Sequence, residues 1–383
     1  MRVLHVIRGL ANSSGTTHIV IPLAEAQADL GAEVSVFHVA KPGEPSLEPN
    51  PSKVTSRCFP MSVGLNNPGL SRAFAAALSR DVRGYDMVHI HAIWNFPTWW
   101  AMRCAGRARV PYIVAPQGSL DPWALAQNRW GKRLYGALTE LPLLRRASRL
   151  QALSAKEQAQ FVASGVTAPS VVIPNGIDPR VYAVQAEPLA RVLGLPEGER
   201  TLLFLSRVHP KKGLDLLLEA FARVRARHAV TLVVAGSDAG SGYLGEMQRL
   251  AERLGVARYC RFIGEVSGAE KFRTLLGADA YALVSRSEGL PVAALEALGA
   301  GLPAVISSEC NLPEVAERSA GWVVPPAAAA AADALDALLS SRDEASRRGA
   351  RARELVAQRF TWERVARQTM DVYGEMIAEQ RRA

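Results

Sequence analysis

Along the chain, short apolar and β-branched runs at 3–7, 34–37, 87–90, 112–115, 171–173, 201–205, 231–235 and 261–263 are separated by longer stretches whose apolar positions recur every three or four residues. The runs read as strands and the stretches as amphipathic helices, an alternation that predicts an α/β protein with parallel sheets. The series runs twice. It first closes in the turn-rich Ile173-Pro-Asn-Gly-Ile-Asp-Pro179 and the irregular residues 183–188, then restarts at Thr201. Two Rossmann-like domains follow, residues 1–182 and 183–360. Ala-rich residues 327–332 lead directly into Ala334-Leu-Asp-Ala-Leu-Leu339 and read as helix. A last helix, at about 361–383, carries Val365, Met370, Val372, Tyr373, Met376 and Ile377; its pattern does not choose a domain.

Composition adds limits. A chain of 383 residues exceeds one comfortable core, and 49% hydrophobic with 21% charged residues is ordinary for a globular protein. Glu296 and Pro303, then Pro325 and Pro326, interrupt the longest apolar stretches, so no membrane span is expected. Residues 1–8 are apolar for too short a distance to form a signal peptide, which predicts a cytoplasmic protein. Cys58, Cys104, Cys260 and Cys310 show no C-x-x-C spacing, so neither a disulfide framework nor a zinc site is expected.

The net charge of +9 points to an anionic partner. No nucleic-acid motif accompanies it, so no nucleic-acid partner is expected, leaving an anionic membrane surface or a phosphorylated substrate. Asn128-Arg-Trp-Gly-Lys-Arg-Leu-Tyr135 and Leu141-Pro-Leu-Leu-Arg-Arg-Ala-Ser-Arg149 mix aromatic and basic residues. That is a composition suited to a membrane face, or to a solvated helix with Trp130 in the core.

The richest stretch is 285–303, Ser-Arg-Ser-Glu-Gly-Leu-Pro-Val-Ala-Ala-Leu-Glu-Ala-Leu-Gly-Ala-Gly-Leu-Pro, between strand patterns at 280–284 and 304–306. It reads as one βαβ unit with Pro291 at the first helical position, Glu288 in the preceding loop and Glu296 in the second turn. The Gly289 and Leu290 amides then sit at a helix N-terminus beyond a strand's carboxyl end, where ligands bind. Carboxylates so placed can grip hydroxyls, or serve only as solvated caps. After the strand at 201–205, Arg207 and Lys212 lie in a loop that opens a helix, a pairing suited to a diphosphate. Gly236 follows the strand at 231–235. Gly264, in Arg261-Phe-Ile-Gly-Glu-Val266, permits close backbone approach, so that the backbone of following residues such as Val266 meets a base edge. No D-x-D triplet offers a metal site for a diphosphate.

In the first half, residues 9–18 join a strand to a helix with Gly15 at the entrance, but they are not G-x-G-x-x-G. His89 and His91 share one side of a strand by alternation. A metal needs a third ligand that the spacing does not supply, so His91 is expected to face substrate from the strand's carboxyl end.

The order Arg207-x4-Lys212-Gly, Phe-x-Gly264 and Glu288-x7-Glu296, preceded by Ile173-Pro-Asn-Gly-Ile-Asp178, closely resembles the retaining GT-B glycosyltransferases of family four, the group 1 glycosyltransferases. Pro116-Gln-Gly-Ser-Leu-Asp-Pro-Trp-Ala-Leu125 is similar to a loop of the polysaccharide-assembly members. The resemblance implies two domains facing across a cleft, with the last helix crossing back to the first. It implies a UDP- or GDP-sugar donor and a saccharide acceptor, expected to be lipid-linked, with the nucleotide-sugar as substrate, no cofactor and no metal. By carry-over Arg207 and Lys212 hold the diphosphate, Glu288 with Gly289, Leu290 and Pro291 the transferred sugar, and Glu296 the ribose. Gly15, Gly236, Gly264 and Val266 line the donor, and His91 and Gln117 face the acceptor. Many relatives have histidine where Gln117 stands; glutamine cannot act as a base. Two other functions remain compatible with the residues, another GT-B sugar-nucleotide enzyme such as an epimerase and a nucleotide-sugar-binding protein without turnover.

Overall fold

The computed structural model describes residues 1–11, 15–62, 69–120 and 139–382. The chain divides into two compact units, Met1–Gly176 with Trp362–Ala383, and Ile177–Thr361. The boundary falls at Gly176 and not at residue 182. The turn at 177–183 belongs to the second unit, where the Tyr182 hydroxyl donates to the Glu296 carbonyl at 2.7 Å.

In the first unit the elements run β1 (Arg2–Val6), α1 (Thr17–Asp29), β2 (Glu33–Ala40), β3 (Val54–Pro60), α2 (Arg72–Asp81), β4 (Met87–His91), α3 (Phe96–Ala108), β5 (Tyr112–Ala115), β6 (Arg149–Ala152), α4 (Ala155–Ala163) and β7 (Ser170–Val172). Their parallel sheet has the order β3-β2-β1-β4-β5-β6-β7. The order reverses between β1 and β4, the place where open α/β sheets bind ligands at the strands' carboxyl ends. Helices begin at side-chain caps: Ser71 accepts from the Phe74 amide, Asn95 from Thr98 and Ser154 from Glu157. Leu4, Val6, Val88, Ile90 and Val114 on one sheet face pack with Phe74, Leu78 and Met102 of α2 and α3. The opposite face carries His5, His89 and His91.

The second unit has β8 (Arg200–Leu205), α5 (Leu214–Arg225), β9 (Val230–Ala235), α6 (Tyr243–Arg253), β10 (Cys260–Gly264), α7 (Gly268–Gly277), β11 (Ala280–Leu283), α8 (Val292–Gly299), β12 (Ala304–Ser307), β13 (Trp322–Val324), α9 (Ala328–Ser340) and α10 (Arg342–Arg359). Its parallel sheet runs β10-β9-β8-β11-β12-β13, reversing between β8 and β11. The last helix, α11 (Trp362–Arg382), packs in the first unit against α1. It buries Val365, Ala366, Thr369, Val372, Tyr373 and Met376 at its 3.6-residue period.

Among the described residues no helix is long and apolar enough to cross a membrane. Residues 128–135 lie outside those described. Of the second basic run, Arg145 donates to the Gly165 carbonyl at 2.9 Å and Arg149 pairs with Glu379 at 2.5 Å, leaving Arg146 exposed.

Candidate active site

The loops at the carboxyl end of the six-stranded sheet bring together Arg207 and Lys212 after β8, Gly236 after β9, Gly264 and Val266 at and after β10, and Glu288 after β11. Backbone bonds tie these loops to one another. Val208 N–H donates to the Ser237 carbonyl at 2.8 Å, Gly236 N–H to Gly264 at 2.7 Å, and Arg286 N–H to Lys211 at 2.8 Å. The Arg286 guanidinium adds bonds to the Pro210 carbonyl and a bidentate pair with Asp215 at 2.8 and 2.6 Å. This fixes the Lys212 turn against the Glu288 loop. Gly236 is required by contact, since a Cβ there would lie 1.9 Å from the Ser206 carbonyl oxygen. At Gly264 φ is 77° with open space beside it, the condition for close approach of a ligand.

Lys212 Nζ donates to both Glu288 oxygens at 2.7 and 2.9 Å, and Ser285 Oγ donates to Oε1 at 2.7 Å. The pair is largely buried, with side chains 13% and 8% exposed, and a carboxylate so held keeps one orientation. Arg207 is exposed and makes no hydrogen bond or ion pair among the described residues. Burial, then the charges of Arg207, Lys212 and Lys211, hold the His209 imidazole below its ordinary value, which registers the positive potential of this loop. Glu296, on the second turn of α8, pairs with Lys271 of α7 at 2.6 Å. That lysine was not anticipated from the sequence, because the contact joins two helices 25 residues apart. Helix α8 begins at Val292 with Pro291 as its cap, one residue later than expected. Neither the Gly289 nor the Leu290 amide has an acceptor among the described residues.

In the first unit Gly15 and Gln117 lie in the segments after β1 and β5, and His91 is the last residue of β4. Ala92, Trp94 and Gln117 adopt left-handed backbone with φ of 65°, 67° and 53°, conformations that cluster at functional loops. The Gln117 turn is held by Glu157, whose carboxylate accepts from Gly118 N–H at 2.6 Å and Leu153 N–H at 2.7 Å.

His91 is not substrate-facing: it is 1% exposed and its ring turns into the face covered by α1 and α11. The third histidine, not foreseen from spacing, comes from the neighbouring strand, since His5 pairs with His89 in register. Ligand nitrogens of His5, His89 and His91 lie within 4.8 Å of one another. His5 and His91 are nearly coplanar, 11° apart with centroids at 5.1 Å, and meet edge to edge through a 2.8 Å N···N contact, while His89 stacks on His91 at 4.0 Å and 27°. A hydrogen-bonded chain accounts for them. Gln27 Oε1, 2.7 Å from His5 Nε2, makes that nitrogen a donor, and His5 Nδ1 then accepts from His91 Nε2 at 2.8 Å. Gln27 Nε2 donates to the Tyr373 hydroxyl at 3.3 Å, which in turn donates to His89 Nδ1 at 2.6 Å. Burial holds all three imidazoles well below their ordinary value, His5 at about 4, so the chain is neutral.

Comparison with known proteins assigns each half. The family described as "Glycosyl transferases group 1" matches residues 185–355, and "Glycosyl transferase 4-like domain" matches residues 14–176. A D-inositol 3-phosphate glycosyltransferase of Segniliparus rotundus is 28% identical over 377 residues, covering 94% of this chain and 84% of the relative. Among solved structures, sucrose-phosphate synthase of Thermosynechococcus elongatus superposes with a TM-score of 0.78 at 21% identity, covering 99% of this chain and all of the other. HepE of Anabaena, in complex with UDP-glucose, gives 0.77 at 20% identity, with 98% and 100% covered.

Proposed function

Because the chain belongs to the group 1 glycosyltransferases of family four and has the GT-B fold, we propose that it transfers a sugar from UDP- or GDP-sugar to a hydroxyl of a lipid-linked saccharide. The anomeric configuration is retained in this reading, and the pathway is polysaccharide or lipopolysaccharide assembly. The observation that carries it is the Lys212–Glu288 pair beside two amides, at the head of α8, that have no acceptor among the described residues. Cations and free N–H groups there suit a diphosphate, and an oriented carboxylate suits sugar hydroxyls.

The bond from the anomeric carbon to the β-phosphate oxygen breaks, and its electron pair stays on the phosphate. Lys212, Arg207 and the amides of Gly289 and Leu290 stabilise that growing charge, the largest expected contribution to rate. The acceptor oxygen forms the new bond on the same face and gives its proton to the leaving phosphate. Glu288 orients the transferred sugar, Glu296 binds the ribose, and Gly236, Gly264, Val266 and Gly15 let backbone approach the donor. Gln117, which has no acid–base capacity, orients the acceptor. These positive groups do the work that a metal would otherwise do, and the reading needs no cofactor. A peripheral position at an anionic membrane face fits the net charge of +9.

The test is a screen of UDP, GDP and their sugars for binding, followed by transfer to lipid-linked saccharides with the product anomer read by NMR. Transfer in the wild type that falls at least about 100-fold in Lys212→Ala supports the reading. A protein that binds nucleotide-sugar yet transfers to no acceptor would leave only a binding role.

A further inference from the structure

Asn311 lies in the chain following β12, at the end of a turn over Ser308–Cys310, and adopts left-handed backbone with φ 57° and ψ 38°. Its side chain is buried against the loop that follows β11. Asn311 Nδ2 donates to the Glu288 carbonyl at 2.7 Å and to the Gly289 carbonyl at 2.9 Å. One amide nitrogen has two hydrogens, so each carbonyl takes one. The contact is part of a wider template. Ser307 Oγ donates to the Ser285 carbonyl at 2.7 Å, and Cys310 Sγ lies 3.7 Å from the Leu283 carbonyl as a weak donor. Residues 307–311 thus take up carbonyls along the whole course of the 283–289 segment.

In a trans peptide the N–H of one residue points opposite to the carbonyl of the residue before it. With the carbonyls of Glu288 and Gly289 both drawn to Asn311, the N–H groups of Gly289 and Leu290 must both project from the far side of the chain. Those are the two amides that have no acceptor among the described residues. No other side chain in the described structure bonds to either carbonyl.

We infer that Asn311 is a positioning residue that turns two consecutive amides of the Glu288 loop toward the sugar-phosphate part of the donor. The inference rests on the proposed transferase reading. Asn311 touches no substrate itself; it acts through the backbone it holds. Its effect falls on the sugar and the β-phosphate, whereas the nucleoside is held by Glu296 and the β10 loop.

The experiment uses Asn311→Gly, which deletes both bonds but keeps the left-handed conformation available. Binding of UMP, GMP, UDP, GDP and the nucleotide-sugars is measured by calorimetry, beside steady-state transfer kinetics. The expected result is UMP or GMP affinity within about twofold of wild type, nucleotide-sugar affinity weakened about tenfold with the nucleoside diphosphate weakened in the same direction, and kcat/KM for the donor reduced about tenfold to a hundredfold. Asn311→Asp, which presents acceptors to two carbonyls, loses more. Unchanged sugar-nucleotide affinity and rate in Asn311→Gly overturns the positioning role. An equal loss for the nucleoside monophosphate and the nucleotide-sugar with a lowered Tm also overturns it, since that is a structural effect alone. A wild-type protein that neither binds nucleotide-sugar nor transfers is distinct from both outcomes and removes the transferase reading on which the inference stands.

Discussion

At Gly213 the chain turns from the Lys212 loop into α5 with φ 65°, and a Cβ there would lie 2.0 Å from the Val284 carbonyl oxygen. Gly213→Ala must therefore push the Lys212 turn away from the end of β11 as well as strain the backbone. We expect a loss of about 2 kcal/mol, read as several degrees in Tm, together with weakened nucleotide binding. Unchanged nucleotide affinity in the variant would show that Lys212 does not depend on this packing. Glu140 offers a residue-scale test with a defined sign. Burial pushes its carboxyl up to about 7, against the nearby Trp94 amide, and neither oxygen reaches hydrogen-bond geometry with a partner among the described residues. An acid raised in the folded state stabilises fully below its unfolded value of 4.5 and loses that contribution as pH rises through about 7. Glu140→Gln should then match wild type in Tm near pH 4 and exceed it at pH 8.5. Parallel Tm profiles for the two proteins would refute the burial argument.

Elements show what the sequence can and cannot carry. Strands β1, β4, β8 and β9, buried on both faces, are legible as short, largely apolar runs, with His5, His89 and His91 as the polar exceptions in the first two. Strands β3, β6 and β13 were not read. The first carries Thr55, Ser56 and Arg57, the second places Gln151 in the interior, and the third is only Trp322–Val324. The donor-site loops were legible because each follows a strand; Lys271 and Asn311 were not, because their partners come from tertiary packing. His5 shows the same limit. Period two put His89 and His91 on one side, but only the pairing of β1 with β4 brings His5 to them. The resulting chain joins α11 to the sheet through Tyr373. Tyr373→Phe leaves His89 Nδ1 and Gln27 Nε2 without their partner in the interior, a cost of about 1–3 kcal/mol. Faster hydrogen exchange in α11 and α1 than in β8 and β9 is the expected pattern. The same chain predicts acid lability. His5 is lowered to about 4, so its stabilisation is complete above pH 6.5 and is lost as pH falls toward 4, with His89 and His91 acting in the same direction. The slope at the acid end is about 1.4 kcal/mol per pH unit for each histidine protonated only on unfolding.

At the scale of the whole molecule, the first unit is discontinuous in sequence, since Trp362–Ala383 joins Met1–Gly176 while Ile177–Thr361 forms the second. The residues proposed to hold the nucleotide, Arg207, Lys212 and Glu296, and Glu288 for the sugar, all lie in the second unit. Ligand binding and loss of the last helix should therefore be felt in different places. A nucleotide present at about 100 times its Kd stabilises the unit that binds it by about 2.7 kcal/mol. We expect UDP or GDP to slow exchange in β8–β11 and α8. Removal of residues 362–383 uncovers the buried faces of α1 and of the β1–β4 pair, and deletes the Tyr373 hydroxyl from the histidine chain. Exchange in α1, β1 and β4 should rise, while nucleotide affinity of the truncated chain stays close to that of the full chain. Loss of nucleotide binding on truncation would mean that the first unit contributes directly to holding the nucleotide. Gly15, at the entrance to α1, would then be the first position to substitute.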